Sequence, residues 1–356
     1  MDNASAENVH ICNQNTVNNN QVPVKSDGKS EFHNTLRLIQ TLIIIPQFFR
    51  QRQNMTIQTR SFTDKNLSSL VKLLNETRKG SYEFIPISEQ KLRSQIKERA
   101  LKILVVEEEG EIIGSVAYNN GHWGEEIEWL CVRENPNRKH LENLLAKEIE
   151  KYVKGEKIFT VVDAESPKIN EWGERGYKPE GGLCHMIATL DGLKPLPKVP
   201  EGTIISSLKT EEEKDFVEAV NAGFNHERLK QGVVQRWKSE CPPFSEEWIH
   251  IAKLDNKIVS VVVSRPDVKY INFFGGKRGY LGPAATLSEY RGKNLASALT
   301  SQAMNTLFEK EMNPVALYTT EQNVPSVTLL RRLGFKFKHH WKFMRKTLIE
   351  KKEGYG

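Results

Sequence analysis

Cysteine is scarce in this chain. Among 356 residues there are four, Cys12, Cys131, Cys184 and Cys241. None forms a C-x-x-C pair, which excludes a disulfide framework or a zinc knuckle. Of nine histidines only His339 and His340 are adjacent, and neighbours on a strand point to opposite faces, so no metal site is expected. Long apolar runs are also missing. The stretch 38–49 is too short to cross a bilayer, is broken by Gln40 and Pro46, and is followed by Arg50-Gln51-Arg52 without a small-residue cleavage site. No membrane partner is expected, and the chain reads as cytoplasmic. There is no stripe of Lys and Arg interleaved with aromatics, so a nucleic-acid surface is not expected either.

What is present describes a globular protein. Hydrophobic residues make up 38% and charged residues 27%. The formal charge of +6 fits either anionic ligands or plain surface solvation. Residues 1–54 stand apart, with the Asn/Gln-rich run 13–21 giving nothing to bury, and read as a disordered or extra tail.

From Met55 the hydrophobic periods follow one plan twice. The first pass has a strand near 56–61, helices through 74 and over 88–100, and a hairpin of 103–107 with 112–117. Then come a strand at 127–132, a helix at 141–153, a strand at 158–162, a short helix at 168–174, and Gly176-Tyr177. The second pass has a strand at 203–206, a helix at 211–223, and a hairpin of 248–252 with 258–264 across Asp255-Asn256. Its later elements are a strand at 280–287, a helix at 295–307, a strand at 315–318, a short helix at 326–332, and a last strand near 337–344. Arg138 and Arg291 lie 291 − 138 = 153 residues apart, and Gly176 and Gly334 lie 334 − 176 = 158 apart. Repetition at this scale indicates duplicated domains. The expected boundaries are a tail at 1–54, a first domain at 55–194, a Pro-rich linker at 195–201 and a second domain at 202–350.

Chemistry concentrates in Thr286-Leu287-Ser288-Glu289-Tyr290-Arg291-Gly292-Lys293-Asn294-Leu295-Ala296. A strand ends there and a helix begins. First-turn N–H groups lack intrahelical partners and carry the positive end of the helix dipole. A pyrophosphate can bind them if the side chains are small. Gly292 and Ala296 leave room, while Arg291 and Lys293 add charge. The bland reading is an ordinary basic turn.

This segment resembles motif A of the GNAT N-acetyltransferases, (Q/R)-x-x-G-x-(G/A), with Asn294 where the family has its central glycine. Asn tolerates left-handed backbone angles, which suits the turn. The preceding Gly282-Pro283-Ala284-Ala285-Thr286 looks like the family's bulged fourth strand. Asn323, Ser326 and Leu333-Gly334-Phe335 look like motif B. The first copy resembles the same fold more faintly, with Arg138-Lys139-His140-Leu141-Glu142-Asn143 as its counterpart of motif A and Glu142 unfavourable to a phosphate.

The resemblance implies an α/β fold with a mixed sheet, in two tandem acyl-CoA N-acyltransferase domains laid out like the tandem acetyltransferases of the mycothiol synthase type. The cosubstrate implied is acetyl-CoA, bound by Thr286, Leu287, Arg291, Gly292, Lys293, Asn294, Leu295, Ala296, Asn323 and Ser326. The acceptor implied is a primary amine of a small molecule or peptide, which attacks the thioester directly in the second domain. Many family members place a tyrosine four residues before the motif B glycine, where this chain has Leu330. Tyr318, Glu321 and Tyr280 are nearby polar candidates for proton transfer, the first two taken as the catalytic pair of choice. The alternative is a non-catalytic acyl-CoA-binding regulatory or scaffold protein.

Overall fold

The computed structural model describes residues 59–121 and 124–348. The expected tail lies outside them. The first half contains β1 (Thr59–Ser61), α1 (Leu67–Arg78), α2 (Glu89–Glu98), β2 (Lys102–Glu108), β3 (Glu111–Gly121) and β4 (Gly124–Val132). It continues with α3 (Arg138–Glu150), β5 (Lys157–Asp163), α4 (Lys168–Glu174) and β6 (Lys178–Ala188). The second half contains β7 (Ile204–Ser207), α5 (Glu213–Phe224), α6 (Val233–Glu240), β8 (Ile249–Leu254), β9 (Lys257–Pro266), α7 (Val268–Phe274) and β10 (Gly279–Thr286). It ends with α8 (Leu295–Glu309), β11 (Val315–Thr320), α9 (Val324–Arg332) and β12 (Lys336–Thr347). The order repeats element for element, apart from α7, which is inserted between β9 and β10.

Local chemistry explains the corners. The β2–β3 hairpin turns at Glu109-Gly110 and the β8–β9 hairpin at Asp255-Asn256, all four residues at positive φ. Two-residue hairpins need that twist, and Gly, Asp and Asn adopt it most readily. Helix α1 buries Leu67, Leu70, Leu73 and Leu74, and α8 buries Leu295, Ala298, Leu299, Ala303 and Leu307 among others, the helical spacing expected of a core-facing stripe.

The twelve strands of the described residues form one sheet, in the order β1-β2-β3-β4-β5-β12-β6-β11-β10-β9-β8-β7. The two copies exchange their final strands. β12 lies between β5 and β6 of the first half, antiparallel to both, and β6 lies between β12 and β11 of the second. Each half's sheet is therefore completed by the other's last strand. The exchange also creates a central aromatic face, where Phe159, Val161, Leu183, Trp341 and Phe343 pack together with Tyr82 and Tyr318 against them. Separate cores flank it on either side.

Candidate active site

Strand β10 pairs with β9 as far as Thr286, with its register shifting between Leu281 and Ala284. On its other side it meets β11 only at Gly279↔Val315 and Tyr280↔Ala316. Beyond that point the two parallel strands diverge, and each presents backbone groups that the other does not pair. A forked edge of this kind can take an extended amide chain by strand addition.

The fork leads into a tightly held loop. The Thr286 hydroxyl lies 2.7 Å from that of Ser260, and Leu287 N–H donates to Val259 O at 3.0 Å. Arg291 folds back, its Nε donating to Thr286 O at 3.2 Å and its Nη2 to Gly223 O at 3.0 Å. A side chain at Gly223 would press on Ala285 Cβ at 2.9 Å, so glycine is what lets the end of α5 come this close to β10. Gly292 has φ +77° and open space where a Cβ would stand. Asn294 takes left-handed angles (φ 60°, ψ 5°) immediately before α8, and its side chain does not cap the helix. The Lys293 ammonium lies 5.0 Å from the centre of the Tyr290 ring. Leu295 and Ala296 open a fifteen-residue helix whose first-turn N–H groups are not capped by a side chain, next to a glycine that adds no bulk. This is a geometry that admits a phosphate group.

Past β11, the Asn323 side chain accepts a hydrogen bond from Ser326 N–H at 3.3 Å and caps α9. That helix buries Leu330 and closes through Leu333-Gly334 onto buried Phe335, whose N–H donates to Leu330 O at 3.0 Å. Asn323 and Ser326 thus stand at the far end of the strand that forms one side of the fork.

Tyr318 and Glu321 fall on opposite sides of the sheet. The Tyr318 ring stacks on His185, its register partner on β6, with centroids 4.4 Å apart. Burial pushes its phenol well above the usual value, with the Glu83 charge adding to the shift. Glu321 turns the other way, 3.0 Å from Lys342 Nζ and 2.7 Å from His340 Nε2. His340 and Lys342 alternate with His339 and Trp341, which join the aromatic face instead.

Sequence patterning missed the polar network on that face. The Tyr82 hydroxyl lies 2.9 Å from His185 Nδ1, and the Tyr82 ring stacks on His339 at 4.1 Å. His339 in turn meets Asp163 at 2.7 Å. Burial of Asp163 opposes its ionisation, but the His339 hydrogen bond holds its carboxyl below the ordinary range. His185 is fully buried with Nε2 unpartnered, and burial together with the Arg278 charge pushes it down to about 3. Nothing in the spacing of Tyr82, His185 and His339 along the chain marks them as neighbours. Exchange of β6 and β12 is what assembles them.

The sequence profile described as "Acetyltransferase (GNAT) family" matches residues 206–335. Over these residues the chain is similar to the GNAT family of acetyltransferases. N-alpha-acetyltransferase 30 of Schizosaccharomyces pombe (strain 972) is 26% identical to this chain over 123 residues, covering 32% of this chain and 80% of that protein. A GNAT N-acetyltransferase from Sphaerobacter thermophilus shares the fold over 82% of this chain and 95% of its own, with TM-score 0.61 and 17% identity. A tandem GNAT protein from the clavulanic acid biosynthesis pathway does so over 82% and 98%, with TM-score 0.56 and 16% identity. Both structural matches extend well beyond the profile and show that the tandem layout is a GNAT fold.

The first half of the chain has a different loop at the equivalent place. Eight residues, 287–294, separate β10 from α8, but only five, 133–137, separate β4 from α3. Arg138 is therefore the first residue of its helix, and the run 138–143 is not the counterpart of Arg291–Ala296. The residues before the helix are Glu134-Asn135-Pro136-Asn137, with an acid where Arg291 stands and a proline that removes an N–H. Glu142 sits in the second turn, buried, with Arg138 at 2.9 Å, Arg175 at 3.0 Å and Lys168 at 3.2 Å. Burial opposes its charge, yet those three cations hold its carboxyl below the ordinary range. It is an internal brace rather than a group facing the helix terminus. Among the described residues no helix is long and apolar enough to cross a membrane, and no cluster of His, Cys, Asp or Glu could hold a metal ion.

Proposed function

We propose that the second half transfers an acetyl group from acetyl-CoA to a primary amine of a small molecule or peptide, in the cytoplasm, and that the first half keeps the fold without a cofactor site. On this reading the chain divides into a tail at 1–54, a GNAT-like copy at 55–194, a connector at 195–201 and the catalytic copy at 202–350. The observation that carries it is the open loop before α8. Gly292 leaves space, and the Asn294 side chain is turned away to the carbonyl of Lys198 at 3.2 Å, so the approach to the first-turn N–H groups is uncluttered.

Residues Thr286, Leu287 and Arg291–Ala296 would hold the phosphates, and Asn323 and Ser326 flank the path of the pantetheine arm. When bound, the thioester supplies an activated acetyl carbon. N–H groups of β10 left unpaired at the fork are suited to stabilising negative charge on the acyl oxygen. Tyr318, its phenol raised by burial, keeps its proton at neutral pH and acts as a donor rather than a base. Glu321 is engaged with Lys342 on the other face of the sheet.

A binding role without turnover has one observation in its favour, the buried apolar Leu330 where many relatives carry a tyrosine. Incubating the full chain with acetyl-CoA and a panel of alkyl amines and short peptides with free amino termini, followed by mass spectrometry of the amines, separates the readings. Peptide termini head the panel because of the name of the yeast relative. Acetylated product supports catalysis, and CoA binding without product on any amine supports the binding role. Absence of CoA binding at millimolar ligand removes both.

A further inference from the structure

The chain after β6, from Leu190 into the connector, is tied down along α8 by three asparagine side chains of the second half. Asn313 Oδ1 accepts from Leu190 N–H at 2.9 Å and its Nδ2 donates to Leu190 O at 2.9 Å. Asn305 repeats the pattern on Lys194, at 2.6 Å and 2.9 Å. Asn294 Nδ2 then donates to Lys198 O at 3.2 Å.

The spacing is geometrically consistent. Eleven residues of helix from 294 to 305 rise about 16 Å, while four extended residues from 194 to 198 span about 13 Å. Pro195 and Pro197, which cannot donate an N–H and fix their own φ, lie between the two ties and favour the extended form. The connector is thus a strap running back along α8 to its amino-terminal end. Its last tie is made by the residue that departs from the family pattern. A glycine at 294 could adopt the same left-handed angles but could not hold the strap, whereas asparagine does both.

This tie sets Lys198 beside the loop proposed above as the phosphate cradle. Lys198 is exposed, and no ion pair joins it to another described residue. Of the two cations within the loop, Arg291 is turned onto backbone carbonyls and Lys293 rests over Tyr290. We propose that the strap is a third wall of the CoA site, with Asn294 acting as a positioning residue that holds Lys198 where its ammonium pairs with a phosphate of the cofactor. The inference rests on the CoA-binding reading and assigns to it two residues with a shared task.

Calorimetric titration of the full chain with CoA and with 3′-dephospho-CoA tests this on four proteins: the unaltered chain, Lys198→Ala, Asn294→Gly and the double variant. Lys198→Ala is expected to weaken CoA about three- to fivefold, the size of one partly solvated ion pair. Asn294→Gly, which keeps the backbone angles, is expected to weaken it by a similar factor, and the double variant by no more than either alone, since both changes remove one interaction. A loss that vanishes with 3′-dephospho-CoA assigns the contact to the 3′-phosphate, and one that persists assigns it to the diphosphate. Tighter binding by Asn294→Gly, additive losses, or no change with Lys198→Ala would each overturn the proposal. Because Lys198 is exposed, its variant remains informative even if Asn294→Gly folds poorly. If the unaltered chain does not bind CoA, it is the underlying reading that fails, and the two failures are distinct.

Discussion

Glu83, in the loop after α1, accepts two hydrogen bonds from Arg278, 195 residues further along the chain, at 2.5 and 2.9 Å. Arg278 is only 4% exposed, and Asp267 holds its other side at 2.7 Å while the Tyr270 ring lies 3.5 Å from its guanidinium carbon. Burial alone would lower the guanidinium pKa, but Glu83 and Asp267 raise it above the usual value. The contact clasps the first half to the root of β10, directly beneath the fork. Glu83→Ala should destabilise the protein by about 2–4 kcal/mol in chemical denaturation, because it strips a partner from a buried cation. A change below about 0.5 kcal/mol would mean that water replaces Glu83 without penalty.

Gly292→Asp should abolish detectable CoA binding in calorimetry while leaving the melting temperature nearly unchanged. The aspartate would bring negative charge and bulk to the loop that the phosphates must approach. It would also carry a side chain at φ +77°, a cost of about 1 kcal/mol. Retained affinity would place the cofactor elsewhere.

Glu142→Ala separates structure from binding in the opposite sense. Three cations are left around an empty buried position, so stability should fall by about 3–5 kcal/mol, whereas CoA affinity measured below the unfolding transition should be unchanged. A weakened CoA affinity in the folded variant would mean that the first half takes part in binding.

Acid sensitivity should come in part from two buried histidines. Burial pushes His185 down to about 3, aided by the Arg278 charge, and pushes His250 down to about 4, against an ordinary value of 6.5. Between those values the unfolded chain binds more protons than the folded one, so stability falls as pH drops below about 6.5 and continues falling to about 4 for His250 and about 3 for His185. Each contributes a slope of roughly 1 kcal/mol per pH unit over its window. Melting temperatures measured from pH 7.5 to 4.5 check the sign, and His250→Gln should reduce the slope. An unchanged slope in that variant would remove His250 from the account.

The duplicated plan, both hairpins and the strand–loop–helix at 286–296 were legible because each is written in local periodicity and turn chemistry. Asp255-Asn256 marks its turn, and the apolar spacing from Leu295 to Leu307 marks its helix. Other features had no local signature. Helix α7 is only seven residues long, too short for a periodic stripe to stand out, and α6 was not separated from the polar stretch around it. The correspondence between the two loops was misjudged by matching Arg138 to Arg291, because a three-residue difference in loop length shifts the register. The pairing of β6 and β12 depends on contacts between residues more than a hundred positions apart, so the neighbours of His185 could not be read from the chain. Tyr318 and Glu321 stand three residues apart, an odd separation along an extended chain, so alternation sends them to opposite faces.

The interleaving of β6 and β12 has a consequence for how such a molecule can change over time. Neither copy can be deleted, transplanted or replaced by a foreign relative without taking away a strand that its sibling depends on. The two repeats are free to diverge in their loops, as 133–137 and 287–294 have, yet they are bound to be inherited together.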